Sequence, residues 1–153
     1  MEFLNLSVFL LAGVVIEVWT DGAYSSARDQ GGVGIVFVKD NEIIYKYSKC
    51  IQKTTNNRCE LYAVIKALQA ISKSIDSLVI YSDSQYVVCS INKGWQRKKN
   101  RDLWAVFDCF YEQAQKYCSD IKFEWVKGHE NNDFNNQADK LAVEASHEFC
   151  YES

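Results

Sequence analysis

The sequence predicts a mixed α/β fold in which antiparallel strands come first and a parallel strand follows. Three runs typical of strands succeed one another at 14–20, 33–39 and 43–47, and Asp40-Asn41 between the last two is a hairpin signal. A helical pattern then separates the third run from a short buried strand at 78–81. Because a strand–helix–strand crossover is right-handed and gives parallel neighbours, this fourth strand runs parallel to the first if the two are adjacent.

The first strand leads to an acidic residue, Asp21. The run 14–20 is rich in β-branched and aromatic residues, and Asp21-Gly22 is predicted to be the turn that ends it. Taken alone, an Asp-Gly pair is ordinary turn chemistry. The alternative is that Asp21 lies at the carboxyl end of a central strand, where open sheets place their ligands.

Three glycines begin the second strand. Gly31, Gly32 and Gly34 follow a polar loop at 24–30. Such glycines can cradle a phosphate, but no helical pattern follows them. A tight beginning of a strand is therefore the favoured interpretation.

Two further acidic residues stand where helices are predicted to begin. Glu60 opens a helical pattern that runs through Ser72, and its spacing from Asn57 is that of a capping box, so a structural role competes with a functional one. Asp83 follows the strand at 78–81 and has the position of an N-cap for a second helix at 84–92. If that strand lies beside the first, Asp21 and Asp83 reach the same edge of the sheet.

The last third of the chain contributes one more acid. A helix is predicted at 103–117, a strand at 121–126, a polar loop at 127–132 and a closing helix at 135–147. Asp139 lies on the closing helix, where alone it would pass as a surface acid.

Length and composition indicate a single globular domain. The 153 residues are 48% hydrophobic and 24% charged, include no proline, and show no linker or repeat. We expect a domain at 14–153 after an extension of unknown role at 1–13. The apolar run at 8–16 is too short to span a bilayer and lacks the positive start of a secretory signal, so no membrane association is expected.

The cysteines predict a reducing compartment. Six cysteines are scattered without a Cys-x-x-Cys pair, and several fall in apolar stretches. Free thiols in such places behave as small hydrophobic side chains. This favours a cytoplasmic location over a disulfide framework or a zinc site.

A local basic patch stands out from the net charge of −3. Its charged residues are Lys93, Arg97, Lys98, Lys99 and Arg101, and Trp95 lies among them. A charge run is usually a solvated face, and a tryptophan usually packs. Cations beside an aromatic ring nevertheless suit a nucleic-acid strand, because they meet phosphates while the ring stacks on a base or sugar.

The four acids together predict a metal site. Carboxylates that converge in one crevice repel one another and raise each other's pKa, so such a cluster is stable only with a cation. Oxygen ligands suit magnesium or manganese. Two such ions would clamp an in-line phosphoryl displacement, which indicates metal-dependent phosphodiester hydrolysis.

The sequence also resembles a known family, the type 1 ribonucleases H, from about Val15 to His147. Four stretches in order carry the resemblance: Trp19-Thr20-Asp21-Gly22-Ala23, Thr54-Thr55-Asn56-Asn57-Arg58-Cys59-Glu60-Leu61, Tyr81-Ser82-Asp83-Ser84-Gln85-Tyr86-Val87, and Trp125-Val126-Lys127-Gly128-His129 with Asp139 beyond it. The resemblance implies a ribonuclease H-like fold, a five-stranded mixed sheet flanked by helices on both faces. It also implies hydrolysis of the RNA strand of an RNA/DNA hybrid, leaving a 5′-phosphate and a 3′-hydroxyl.

The resemblance further implies residue roles. Asp21 would bridge two Mg²⁺ ions, for which Mn²⁺ can substitute, with Asp139 on the water-activating ion and Glu60 and Asp83 on the other. His129 would assist proton movement or product release. The implied substrate contacts are Thr55, Asn56, Asn57, Gln85, Trp95, Lys98, Lys99 and Asn100. The protein is expected to be a monomer.

The sequence departs from the family in one stretch, and other functions are also compatible with parts of it. The stretch between Tyr86 and Asn100 is shorter than in members with a long basic protrusion, which predicts weaker affinity. The alternatives are a ribonuclease H domain of a reverse transcriptase, a non-catalytic hybrid-binding module and a flavodoxin-like binder of small molecules. The four intact acids argue against the binding module, and the Thr-Thr-Asn-Asn-Arg segment and the basic patch are unexplained by the flavodoxin-like reading.

Overall fold

The fold is an α/β arrangement of five strands and four helices in residues 13–128 and 131–150, the part of the chain that the computed structural model describes. Residues 1–12 of the predicted extension lie outside the described residues, as does His129. In chain order the elements are β1 (Val15–Ser25), β2 (Gln30–Lys39), β3 (Glu42–Gln52), α1 (Asn56–Gln69), β4 (Ser77–Ser82), α2 (Gln85–Asn92), α3 (Arg101–Gln115), β5 (Asp120–Trp125) and α4 (Asp133–Ser146).

The sheet is mixed, as the sequence predicts. Its strand order is β3-β2-β1-β4-β5. β1 pairs antiparallel with β2, and β2 with β3. β4 lies parallel to both β1 and β5. The central position of β1 beside β4 confirms the crossover through α1.

Helices cover both faces of the sheet, so alternate residues of a strand belong to different cores. Val18 belongs to a core that also contains residues of α1 and α3, such as Leu61 and Phe107. The next residue, Trp19, belongs to a second core that contains Ala138 of α4. None of the described helices is long and apolar enough to span a membrane.

The prediction that Asp21-Gly22 ends the first strand is wrong. β1 continues to Ser25, and Asp21 pairs with Gly34 of β2. Antiparallel pairing with β2 therefore overrides the local turn preference of an Asp-Gly pair. The parallel ladder with β4 does stop here, at the pair Thr20–Ser82. Asp21 is thus the first residue of β1 beyond the carboxyl end of β4, which is the edge position that the alternative interpretation requires.

The glycines of β2 allow helices to pack against the sheet. A Cβ atom on Gly34 would collide with the carbonyl oxygen of Ala138, and one on Gly32 with that of Ala142. Both glycines lie within the strand, so the favoured strand interpretation is confirmed over a phosphate-binding loop. Their lack of side chains brings α4, which carries Asp139, down onto β2.

The helix caps differ from the predicted ones and leave two acids available. Thr55 caps α1 by accepting a hydrogen bond from the Arg58 amide at 3.2 Å, so the Asn57–Glu60 capping box is wrong. Ser84 caps α2, so Asp83 is not its N-cap. Hydroxyl side chains at the right position satisfy the first amides of both helices. Neither Glu60 nor Asp83 is needed as a cap.

The C-terminal segment is fastened to the sheet by a disulfide and two glutamines. Cys50 of β3 is bonded to Cys150, so the expectation of free cysteines is wrong for this pair, while Cys59, Cys89, Cys109 and Cys118 are free. The side-chain amide of Gln30 donates to the carbonyls of Ser146 at 2.9 Å and Glu148 at 2.6 Å. The Gln52 amide donates to the carbonyl of Cys150 at 2.8 Å. These bonds hold the end of α4 against β2 and β3.

We expect Cys150→Ser to destabilise the oxidised protein. The disulfide joins residues 100 positions apart, and closing a ring of that length in the unfolded chain is worth up to about 4.7 kcal/mol in the chain-entropy account. Urea denaturation of the oxidised proteins measures the difference. Cys109→Ser, which removes an exposed free thiol, is the matched control and should leave stability unchanged.

A reductant provides the second arm of this test. It should lower the free energy of unfolding of the wild type to that of Cys150→Ser and leave the variant unchanged. Equal stability of the oxidised wild type and the variant would contradict a stabilising disulfide.

Candidate metal centre and nucleic-acid interface

Three carboxylates meet at the carboxyl edge of the central strands. Asp21, Glu60 and Asp83 each place one oxygen so that all three oxygens lie within 4.8 Å of one another. They come from β1, from the first turns of α1 and from the residue after β4. The structure therefore brings together three of the four acids that the sequence singles out, across more than sixty residues of chain.

Gly22 joins the first two carboxylates. Its amide donates to Asp21 Oδ1 at 2.8 Å and to Glu60 Oε1 at 2.9 Å. A Cβ atom at this position would lie 2.5 Å from the Glu60 amide nitrogen, so glycine allows β1 and α1 to approach this closely. One backbone donor thus holds two acidic side chains side by side.

Burial makes this cluster electrostatically costly without a cation. Asp21 is 3% exposed and Glu60 is 4% exposed. Burial is the largest cause that raises the pKa of Asp21, followed by the charge of Glu60. Burial also raises the pKa of Glu60, although the hydrogen bond with Asp21 acts in the opposite direction. In the absence of a cation, the pair therefore retains protons above the usual carboxyl range.

One oxygen of the cluster has no protein partner. Glu60 Oε2 is buried and accepts no hydrogen bond. A buried polar atom of this kind calls for a ligand. Three converging carboxylates with an orphaned oxygen provide the hard oxygen donors that Mg²⁺ and Mn²⁺ prefer, so the residues fit a divalent cation.

Asp139 lines the same cavity from α4. The cavity is also lined by Asp21, Glu60 and Asp83 and by the predicted substrate residues Asn56, Asn57 and Gln85. A hydrogen bond that the protonated Asp21 side chain donates to Asp139 further raises the pKa of Asp21. Asp139 is not one of the three residues whose oxygens lie within 4.8 Å of one another.

Comparison with known proteins identifies the family. The family model for RNase H matches residues 14–147. A ribonuclease H of Syntrophus aciditrophicus is 40% identical over an alignment of 140 positions, which covers 86% of this chain and 80% of that protein. The chain belongs to the ribonuclease H family. The resemblance drawn from the four sequence motifs is thereby confirmed, and this family is metal-dependent, in agreement with the acidic cluster.

Solved structures agree with this ribonuclease H assignment. The RNase H1 of the halophilic archaeon Halobacterium salinarum is 26% identical, with a TM-score of 0.69 over 86% of this chain and 96% of that one. LC11-RNase H1, solved in complex with an RNA/DNA hybrid, is 23% identical, with a TM-score of 0.70 over 85% of this chain and 95% of that one. The predicted ribonuclease H-like fold is therefore confirmed.

Arg58 is a site residue that sequence reasoning passed over, although it stands within the second ribonuclease H motif. Its guanidinium makes two hydrogen bonds to Asp102, at 3.0 and 2.8 Å, and one to Asn100 Oδ1 at 3.3 Å. The side-chain amide of Asn100 in turn donates to the Tyr86 hydroxyl at 3.1 Å. Arg58 thus links the cap residue Thr55 to Asn100, two predicted substrate residues that lie far apart in sequence.

The basic patch is smaller in the structure than in the sequence. The Arg97 guanidinium pairs with Asp108 at 2.7 Å and lies 4.3 Å from the centre of the Trp104 ring, so it is held against α3. Lys98 and Lys99 are exposed, and neither lines the acidic cavity. Trp95 is 49% exposed and lines a groove that shares the lining residue Gln85 with the acidic cavity.

The raised pKa values predict how stability depends on pH. In the metal-free protein Asp21 and Glu60 bind more protons folded than unfolded, from the ordinary carboxyl range of 3.8 to 4.5 upward. Their contribution to stability is therefore complete below that range and decreases as pH rises through neutrality. A bound divalent cation requires ionised carboxylates, so its stabilising effect should increase over the same interval.

Thermal unfolding between about pH 5 and pH 8, with a chelator and with a divalent cation, measures both slopes. Asp21→Asn should flatten the metal-free decrease and abolish most of the stabilisation by cation. Asp40→Asn changes an exposed aspartate that pairs with Lys39 and should behave as the wild type. An unchanged slope in Asp21→Asn would show that the acidic cluster does not titrate in this way.

Proposed function

We propose that this protein is an endoribonuclease that hydrolyses the RNA strand of RNA/DNA hybrids, leaving 5′-phosphate and 3′-hydroxyl ends. The observation that carries the proposal is the convergence of Asp21, Glu60 and Asp83 around a buried oxygen without a partner. Membership of the ribonuclease H family supports the choice of reaction and substrate.

Asp21, Glu60, Asp83 and Asp139 would hold the catalytic metal, which we propose to be two Mg²⁺ ions, with Mn²⁺ as a substitute. When bound, such ions supply an activated water and stabilise the leaving oxygen. Asp21 is the central ligand in this assignment because it interacts with both Glu60 and Asp139. Asp139 would help to hold the ion that activates the water. His129, which lies outside the described residues, is assigned proton movement or product release.

Polar side chains around the cavity would recognise the hybrid. Asn56, Asn57 and Gln85 line it beside the carboxylates. Their amides can read base edges and the 2′-hydroxyl groups that distinguish RNA from DNA. These residues would therefore hold the RNA strand over the metal centre.

A second group of residues would bind the DNA strand. Thr55 and Asn100 would offer hydroxyl and amide groups to a phosphate, and Arg58, whose guanidinium pairs with Asp102, holds these two residues in one polar cluster. Trp95 is exposed and can stack on a base or sugar, with Lys98 and Lys99 adding charge. The protein is proposed to act as a monomer.

The proposed location is the cytoplasm. Thiols are kept reduced there, so the Cys50–Cys150 bond would be open and the hydrogen bonds of Gln30 and Gln52 would hold the C-terminal segment. Labelling of free thiols in freshly lysed cells measures the state of this pair.

Hydrolysis of a labelled RNA/DNA hybrid tests the proposed function. The wild type should cleave the RNA strand in Mg²⁺ or Mn²⁺, and Asp21→Asn should lower kcat by more than about a hundredfold because several kcal/mol of transition-state stabilisation depend on the ions. Circular dichroism should show that the variant is folded. Asp40→Asn serves as the control with the same chemical change at an exposed site.

The outcomes of this assay separate the alternatives. Cleavage of hybrid but not of duplex DNA supports the proposal. Tight binding of hybrid by folded wild type, without cleavage in either metal, would establish a non-catalytic binding module instead. If the folded wild type neither binds nor cleaves the hybrid, hybrid recognition is wrong altogether.

Trp95→Ala should weaken hybrid binding more than it slows the bound enzyme. Stacking of one base on an aromatic ring is worth enough to raise KM roughly five- to a hundredfold, whereas kcat at saturation should change little. Trp95→Tyr keeps a stacking ring and should retain most of the affinity. An unchanged KM in Trp95→Ala would contradict the stacking role.

A further inference from the structure

Asp83 occupies a different kind of position from the other two carboxylates of the cluster. Asp21 lies within β1 and Glu60 within α1, and both accept a hydrogen bond from Gly22. Asp83 lies between β4, which ends at Ser82, and α2, which begins at Gln85. It is only half-buried. Because Asp83 belongs to neither element, the segments that contact this junction help to determine where its carboxylate lies.

The end of β5 supports the backbone of this junction. Trp125 is the partner of Ser82 in the parallel ladder. The next residue, Val126, donates its amide to the carbonyl of Ser82 at 2.9 Å, which extends the pairing beyond the strand. The indole nitrogen of Trp125 donates to the carbonyl of Asp83 at 3.1 Å. The carbonyl groups of Ser82 and Asp83 are thus held by the last residue of β5 and the residue that follows it.

Gly128 leaves space for the side chain of Asp83. A Cβ atom on Gly128 would lie 2.8 Å from Asp83 Oδ2 and 3.6 Å from its Cβ and Cγ atoms. The described glycines with positive φ are Gly13 and Gly94, so backbone conformation does not require glycine at 128. The requirement is space for the carboxylate.

We propose that Trp125 and Gly128 are positioning residues that hold Asp83 in the orientation needed to share a metal ion with Asp21 and Glu60. The inference rests on the proposed function, since Asp83 is a metal ligand there. Trp125 fixes the main chain of Asp83, and the absence of a side chain at Gly128 leaves room for its carboxylate. The Trp-Val-Lys-Gly stretch of the fourth motif thereby acts on the metal centre without supplying a ligand.

The exposure of Trp125 separates this role from ordinary packing. Its side chain is 44% exposed, and it is not part of either buried core. Loss of its indole N–H should therefore change the position of Asp83 more than the stability of the fold. Substitutions around a metal site that act through a ligand typically weaken metal binding by about 10- to 100-fold.

Calorimetric titration of the substrate-free protein with Mg²⁺ and with Mn²⁺ tests the proposal without any cleavage step. Trp125→Phe keeps an aromatic ring and removes the donor, and should weaken metal binding about fivefold, as expected for one hydrogen bond. Gly128→Ala introduces the colliding Cβ and should weaken it by about 10- to 100-fold. Tyr117→Phe removes a polar hydrogen from an exposed aromatic side chain that follows α3 and should leave metal affinity unchanged.

A double-mutant cycle shows whether the effect passes through Asp83. In an Asp83→Asn background, Trp125→Phe and Gly128→Ala should cause no further loss of metal affinity. Equal losses with and without Asp83 would mean a general structural effect and would overturn the proposal. If Gly128→Ala does not fold, Trp125→Phe decides the question alone.

The same titrations distinguish failure of this inference from failure of the proposed function. If Asp21→Asn and Asp83→Asn weaken metal binding but Trp125→Phe and Gly128→Ala do not, the positioning role is wrong and the metal centre stands. If none of the four variants changes metal binding, the metal centre itself is wrong, and the positioning role is overturned with it.

Discussion

The placement of Asp21 and Glu60 in a nearly dry environment beside Asp83 is the constraint on which the site depends. Burial raises the pKa of both buried carboxyls, and their proximity to Asp83 adds repulsion. The fold tolerates this because the Gly22 amide donates to both side chains at once. One oxygen of Glu60 still lacks a partner, which makes the cluster fit for a cation and poorly satisfied by protein alone.

The sheet and its helices are arranged so that these acids can meet. The parallel ladder between β1 and β4 ends at Thr20–Ser82, which leaves Asp21 and Asp83 at one edge. Glycines of β2 let α4 lie close to the sheet. A Cβ atom on Gly34 would collide with the carbonyl oxygen of Ala138, which is the residue before Asp139. The hydrogen bonds of Gln30 and Gln52 hold the far end of that helix. Support for the metal centre thus extends across both faces of the sheet.

Hydrophobic periodicity and crossover handedness were sufficient to predict a mixed sheet. They also predicted that Asp21 and Asp83 reach the same edge, on the condition that the fourth strand lies beside the first. Predictions from local sequence failed where contacts between distant residues determine the structure. Pairing with β2 continues β1 past Asp21-Gly22, and Cys50 is bonded to Cys150, which is 100 residues away. Thr55, rather than Asn57, caps α1 because its hydroxyl reaches the Arg58 amide. The loss of Arg97 from the basic patch reflects its contact with Trp104, which charge counting does not detect.

The central claim is that the three converging carboxylates bind a divalent cation. Anomalous diffraction from crystals grown with Mn²⁺ measures this directly, since the metal is located without reference to activity. We predict an anomalous peak within coordination distance of oxygens from Asp21, Glu60 and Asp83, and its loss in Asp21→Asn. A well-ordered wild-type cluster at saturating Mn²⁺ with no peak among these three residues would contradict the account.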